Sequence, residues 1–264
     1  MTWLEFPYFA AVSALFYVAG SVFLYTSKNK LWGNAAIITG LAVLGTFIGA
    51  FWAGLDRLPL RTLGETRLWY AFFLVLAGYL TYLRWGIKWI VPYSCGLALM
   101  FLILNIVFVE AHDKTLMPAL QSPWFAPHVI VYMISYAVLA ASALVSAKAL
   151  FEMFFRNRHV NDDVLKLADN LVSVGFTFLS LGLIFGAFWA KEAWGHYWTW
   201  DPKETWALLT WLAYLVYIHI RFRHKQNENL AYFLLFISFV VLIVAWFGIN
   251  YLPSAANSVH TYSN

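Results

Sequence analysis

Eight apolar stretches, each about as long as a membrane is thick, constrain this chain more than any other feature: approximately Phe6–Tyr25, Asn34–Gly54, Leu68–Leu83, Trp89–Val109, His128–Phe155, Leu167–Phe188, Thr205–Phe222 and Leu230–Tyr251. A crossing helix needs about 20 mostly apolar residues, because it climbs only ~1.5 Å per residue through a ~30 Å hydrocarbon layer. Charged residues make up 11% of the chain, against about 25% in a soluble domain. Water-soluble enzymes and nucleic-acid-binding modules are excluded, and the net charge of +4 is what basic loops on an inner face produce. The expectation is an all-α membrane protein, a bundle of about eight transmembrane helices forming one polytopic domain over residues 1–264. The third and seventh stretches are the shortest. No basic segment precedes the first one, so it is expected to be a true span rather than a cleaved signal. The single cysteine, Cys95, excludes an intrachain disulfide and reads as a small core residue.

Basic residues orient the spans. One set of loops holds ten: Lys28, Lys30, Arg84, Lys88, Arg156, Arg158, Lys166, Arg221, Arg223 and Lys225. The other holds six: Arg57, Arg61, Arg67, Lys114, Lys191 and Lys203. The richer set is expected on the cytoplasmic side, which puts both termini and the loop after the sixth span outside.

That loop is the densest aromatic stretch of the chain. Between Trp189 and Trp211 lie six of the fourteen tryptophans, Trp189, Trp194, Trp198, Trp200, Trp206 and Trp211. Among them runs Asp201-Pro202-Lys203-Glu204, which reads as a helix start: Asp201 caps free N–H groups, Pro202 suits the first helical position, and Glu204 completes a capping box. A belt of interfacial tryptophans is the ordinary explanation of such a cluster. The local density fits better a flat apolar ligand with a polar edge, lying at the membrane surface.

The seven histidines sort by position. His159 and His224 fall in basic inner loops and His112 in an outer loop, all three expected to be solvated. His196, inside the tryptophan loop, is ambiguous. His128 follows Pro127 at the outer start of the fifth span, and His260 lies in the outer tail, so topology places both at the face of the tryptophan loop. Two neutral imidazoles at one face can close on an iron from opposite sides of a flat ring. Taken singly, each also reads as an interfacial polar residue. His219 lies late in the seventh span, ~26 Å below the loop at ~1.5 Å per residue. An ionisable residue there is a functional candidate, the alternative being a side chain that reaches for Arg221 and the headgroups. No second histidine lies at its depth, so a bis-histidine site there needs a ligand from another subunit.

The run WGHYWTWDPKETWALLTWLAYLVYIHIR resembles the WWD domain of the haem-handling proteins of cytochrome c biogenesis. It is most similar to the CcsA (ResC) family, the membrane subunit of the system II cytochrome c synthetase. His128 in APHVIVYMISYAVLA matches that family's outer histidine ahead of the WWD domain. His260 beyond FGINYL matches the second outer histidine, and His219 the histidine within the following span. The likeness is strong from about Trp124 onward; the first hundred residues are assigned by continuity. His196 stands where a small residue is expected.

The resemblance implies a haem lyase subunit acting on haem b as substrate. Haem would enter from the cytoplasmic side at a site including His219, with the opposing ligand supplied by a CcsB (ResB) membrane partner. An outer site would follow, with His128 and His260 as axial ligands. Trp194, Trp198, Trp200 and Trp206 are its candidate walls, and Asp201 belongs to the same set, chiefly as the helix cap. Lys203 is a candidate partner for a haem propionate. Arg221 and Arg223 are the same at the inner entry, or simply inner-face charges. At the outer site an apocytochrome c would present Cys-x-x-Cys-His, whose thiols add across the haem vinyl groups. The membrane would be a bacterial plasma membrane, or alternatively a thylakoid. A competing reading is a haem transporter or chaperone resembling CcmC, without ligase activity. A b-type electron carrier is disfavoured, because it wants paired histidines within the spans.

Overall fold

The computed structural model describes residues 1–112, 122–156, 162–223 and 228–253. His159, His224 and His260 lie outside them. The described residues are helical, with no strand: α1 (Phe6–Thr26), α2 (Lys30–Leu55), α3 (Leu63–Trp85), α4 (Ile90–Val107), α5 (Phe125–Arg156), α6 (Asp162–Trp194), α7 (Pro202–Arg223) and α8 (Glu228–Trp246). Each expected span appears within a few residues of its predicted bounds. Six of them, α1, α2, α4, α5, α6 and α8, are long and apolar enough to cross a membrane, and this is an integral membrane protein. The two outside that group are α3 and α7, the spans expected to be shortest. They are the two least apolar of the eight helices, and they carry Glu65, Arg67 and Arg84 in one and Lys203, Glu204, Arg221 and Arg223 in the other.

The helices gather into two compact units, residues 1–116 and 117–264. In the first, α1 packs on α2 and α4, and α3 on α4. Its α3 begins with a full capping box: Glu65 N–H donates to Thr62 Oγ1 at 3.2 Å, and the Thr62 N–H returns to the Glu65 carboxylate at 3.1 Å. Arg57 grips the same buried carboxylate with two nitrogens, at 2.8 and 3.0 Å. Such a buried anion is tolerable only because every face of it meets a donor. His112 is not solvated as its loop position suggested. Its ring lies flat on Trp3, centroids 3.8 Å apart at 4°, and both ring nitrogens are buried. The segment after α4 folds back as a 3₁₀ turn over Val109–Ala111, which carries His112 onto Trp3.

The second unit is built on the antiparallel pair α5/α6, with α8 against α5 and α7 between α6 and α8. With 32 and 33 residues, α5 and α6 run to about 48–50 Å at ~1.5 Å per residue, well beyond a ~30 Å hydrocarbon layer. Their ends therefore project past it, and the polar groups cluster there. Ring contacts fix which ends coincide. Trp124 at the start of α5 meets Phe188 near the end of α6, at 4.9 Å. Tyr136, early in α5, meets Trp246 at the end of α8, at 5.4 Å. The start of α5, the end of α6, the start of α7 and the end of α8 thus share one end of the unit.

Candidate functional site

That end holds the tryptophan loop, Gly195–Asp201, between α6 and α7. Gly195 stops α6 in the left-handed conformation, φ +85°, its N–H donating to Lys191 O at 3.0 Å, as a helix-ending glycine does. Lys191 folds back over the turn, donating from Nζ to Gly195 O at 2.8 Å with the Tyr197 ring 5.5 Å away. At the far side Asp201 starts α7 as expected: the Lys203 N–H donates to its carboxylate at 2.9 Å, and its own N–H donates to Glu204 at 3.1 Å. Glu204 reaches further than a capping box requires. The same Oε2 accepts the N–H of Thr199 at 2.7 Å and its hydroxyl at 3.3 Å. One buried carboxylate thereby ties Thr199 and Asp201, on either side of Trp200, to the first turn of the helix.

Trp200 sits between those anchors with φ +61°, a left-handed backbone that bulky residues rarely adopt. Its carbonyl accepts the Thr205 hydroxyl at 3.3 Å, and the next N–H is held by Glu204. The peptide group after Trp200 is thus held at both its carbonyl and its N–H, and the indole is 68% exposed. Trp198 packs edge-on against it, centroids 5.9 Å apart. Glu204→Ala should release this loop. Losing a helix cap costs about 1–2 kcal/mol, and hydrogen exchange at residues 198–201 should accelerate while α7 persists. Unchanged protection there would remove Glu204 from this role.

His128 stands one turn inside α5 at the same end. Its Nδ1 lies 2.9 Å from the carbonyl of Gly182 on α6. A carbonyl only accepts, so Nδ1 carries the proton, and in the neutral ring Nε2 is the nitrogen with the lone pair. Trp189, buried at 4% exposure, lies over the imidazole with centroids 5.4 Å apart at 30°, and Tyr132 meets it edge-on at 4.6 Å. Trp194 continues the wall, 5.0 Å from Trp189. Histidine ligands of metals typically donate their other N–H to a carbonyl or carboxylate in this way. The sequence reading did not single out Trp189, Tyr132 or Gly182 as neighbours of His128. Only the facing order of α5 and α6 reveals them.

Of the other candidates, Trp206 is half-buried on the first turn of α7, and His196 is exposed in the loop. His260 lies seven residues beyond Pro253 and outside the described residues. His219 sits far along α7 with its side chain exposed. On either side of it, Tyr217 and Arg221 both bind Asp169 of α6. The Tyr217 hydroxyl donates at 2.7 Å, and the guanidinium donates through Nε at 2.9 Å and through its terminal nitrogen at 2.8 Å. Arg221 is thus engaged within the unit, whereas Arg223 is exposed. Asp169, 52 residues away in sequence from Arg221, carried no signal of its own. Among the described residues no cluster of three metal-ligating side chains occurs.

Comparison with known proteins places the molecule in context. The family described as "Cytochrome C assembly protein" matches residues 8–256. The "Cytochrome c biogenesis protein CcsA" of Mesostigma viride is 28% identical, over 97% of this chain and 96% of its own length. The protein of the same name from Prochlorococcus marinus (strain MIT 9312) is 37% identical over 55% of this chain and 57% of its own. Among solved structures, "Cytochrome c Heme Lyase CcmF" superposes with a TM-score of 0.69 at 15% identity, covering 97% of this chain and 50% of that one. At that identity the likeness is one of fold, and the chain spans half the length of that solved protein.

Proposed function

Because the chain belongs to the cytochrome c assembly protein family, we propose that it receives haem b as substrate and holds it for covalent attachment to an apocytochrome c, as a haem lyase subunit. The observation that carries this is the His128 ring, its Nδ1 donating to the Gly182 carbonyl and its body stacked on Trp189 beside the tryptophan loop. A ring so held offers Nε2 as an axial ligand in one orientation. His260 is the second axial ligand of this outer site. Two imidazoles set the haem plane and bear on the iron potential. Trp194, Trp198, Trp200 and Trp206 wall the site, and Asp201 shapes it as the cap that starts α7.

The chemistry asked of the protein is mainly orientation. Each thiol of a Cys-x-x-Cys-His segment adds across one vinyl group: a C–S bond forms at one carbon and the thiol proton ends on the other, with no net oxidation. The segment's histidine then displaces an axial ligand and the product leaves. Haem reaches the outer site from the cytoplasmic side, through an inner site at His219 whose opposing ligand belongs to a CcsB (ResB) partner. The loop and both termini face outward, in a bacterial plasma membrane or its thylakoid counterpart. Lys203 pairs with a propionate at the outer site.

The test is co-expression of this chain, a CcsB-type partner and a reporter cytochrome c in a host without its own maturation system. Covalent haem on the reporter is the expected result. Haem retained by the complex with none attached would instead indicate a transporter or chaperone.

A further inference from the structure

Along α6, three glycines face α5 in antiparallel register. A Cβ built on Gly175 would fall 2.6 Å from Leu139, on Gly182 2.2 Å from Tyr132, and on Gly186 2.9 Å from both Cε1 and Nδ1 of His128. The first two approaches bring the helices close. Ser135 confirms that proximity, its hydroxyl donating to Gly175 O at 2.8 Å. The third differs, because what lies against Gly186 is the imidazole edge. One turn earlier, the Gly182 carbonyl takes the His128 Nδ1 proton. In an α-helix that carbonyl already accepts the N–H of residue 186, and its second lone pair serves the histidine.

We propose that Gly186 and Gly182 are positioning residues for iron ligation by His128: the bare Gly186 is the floor on which the ring rests, and the Gly182 carbonyl fixes which nitrogen carries the proton. This deepens the proposed function and rests on His128 being an axial ligand. Trp189 and Tyr132 close the remaining sides, so the ring is set in plane, tilt and tautomer before haem arrives. A methyl group at position 186 leaves the helix intact but lifts the ring off its acceptor. It weakens both the alignment of Nε2 and the electron donation that a hydrogen-bonded imidazole gives a metal.

The experiment uses the full complex of this chain with its partner and compares four proteins for cytochrome maturation and for the low-spin bis-imidazole signal of the ferric haem. Gly186→Ala should lower maturation about tenfold or more and lose that signal. Gly175→Ala, with a similar approach to Leu139 but no histidine, should keep it. His128→Gly with added imidazole, and the double variant His128→Gly/Gly186→Ala with imidazole, should have nearly equal activity, because a free imidazole is untethered and can shift into the space left by the His128 Cβ, clear of a methyl group at 186. If the double variant is again tenfold poorer, Gly186 acts through helix packing and the proposal fails. If His128→Gly matches the parent without imidazole, the ligand reading itself fails, which is a separate outcome. Replacing His128 by Nδ1-methylhistidine tests the Gly182 bond with α6 untouched. Loss of the low-spin signal is expected, and a parental spectrum with parental maturation would overturn the tautomer role even if Gly186→Ala does not accumulate.

Discussion

His128→Gly should bring cytochrome c maturation down by about a hundredfold, and millimolar imidazole should restore a substantial part of it. The reasoning is geometric. The imidazole is held by the Gly182 carbonyl, Trp189 and Tyr132, which belong to helix backbone or to rings packed elsewhere. Deleting the side chain therefore leaves a slot of imidazole shape with its acceptor in place. Loss of one axial ligand forfeits the iron–nitrogen bond that fixes the haem plane, and with it the alignment between vinyl groups and thiols on which the rate depends. A free imidazole entering the slot recovers the bond but loses the tether, so rescue is partial. Haem-stained cytochrome from the co-expression system is the readout, normalised to the amount of complex in the membrane. His128→Ala with imidazole should respond less, because its methyl group occupies part of the slot. Maturation at the parental level in His128→Gly without imidazole would remove this residue from the ligand set. His260→Gly should behave in parallel.

Much of this arrangement can be read before any coordinates, and the reason differs from part to part. The helices are legible because a bilayer demands long unbroken apolar runs, so length and composition suffice to find α1, α2, α4, α5, α6 and α8. The start of α7 is legible because caps are local chemistry: Asp201, Pro202 and Glu204 lie within four residues, Pro202 opens the helix, and the Asp201 and Glu204 carboxylates take up the backbone N–H groups of Lys203 and Asp201. Partners across helices are another matter. That Gly186 faces His128, or that Asp169 takes both Tyr217 and Arg221, depends on the register of α6 against its neighbours, and every residue involved reads on its own as an ordinary helix constituent. His112 was misjudged for the same reason. Its sequence neighbours Glu110 and Asp113 suggest water, whereas its spatial neighbour is Trp3, more than a hundred residues earlier.

The second large effect concerns His219, and it follows from how α7 is turned. Tyr217 and Arg221 are one helical turn apart and both bind Asp169, so the face they share is locked toward α6. At about 100° per residue, the residue midway between them points nearly the opposite way, and His219 is accordingly exposed. A ligand that meets it on a shared iron must then come from outside this unit, as the requirement for a partner subunit already suggested. His219→Ala should weaken haem retention by the complex about tenfold or more, seen as a fall in the pyridine-haemochrome ratio of haem to protein. Asp169→Asn should have a smaller effect of the same sign. It keeps the hydroxyl and guanidinium contacts in weaker form, at a cost of about 1 kcal/mol for a pair that water partly screens. Asp169→Ala should fall between the two, because α7 is then free to turn about its axis. The order of the three variants is the discriminating result. If His219→Ala retained parental haem while Asp169→Ala lost it, the haem at this end would depend on the ion pair itself, and the ligand assignment would pass from His219 to another residue of the complex.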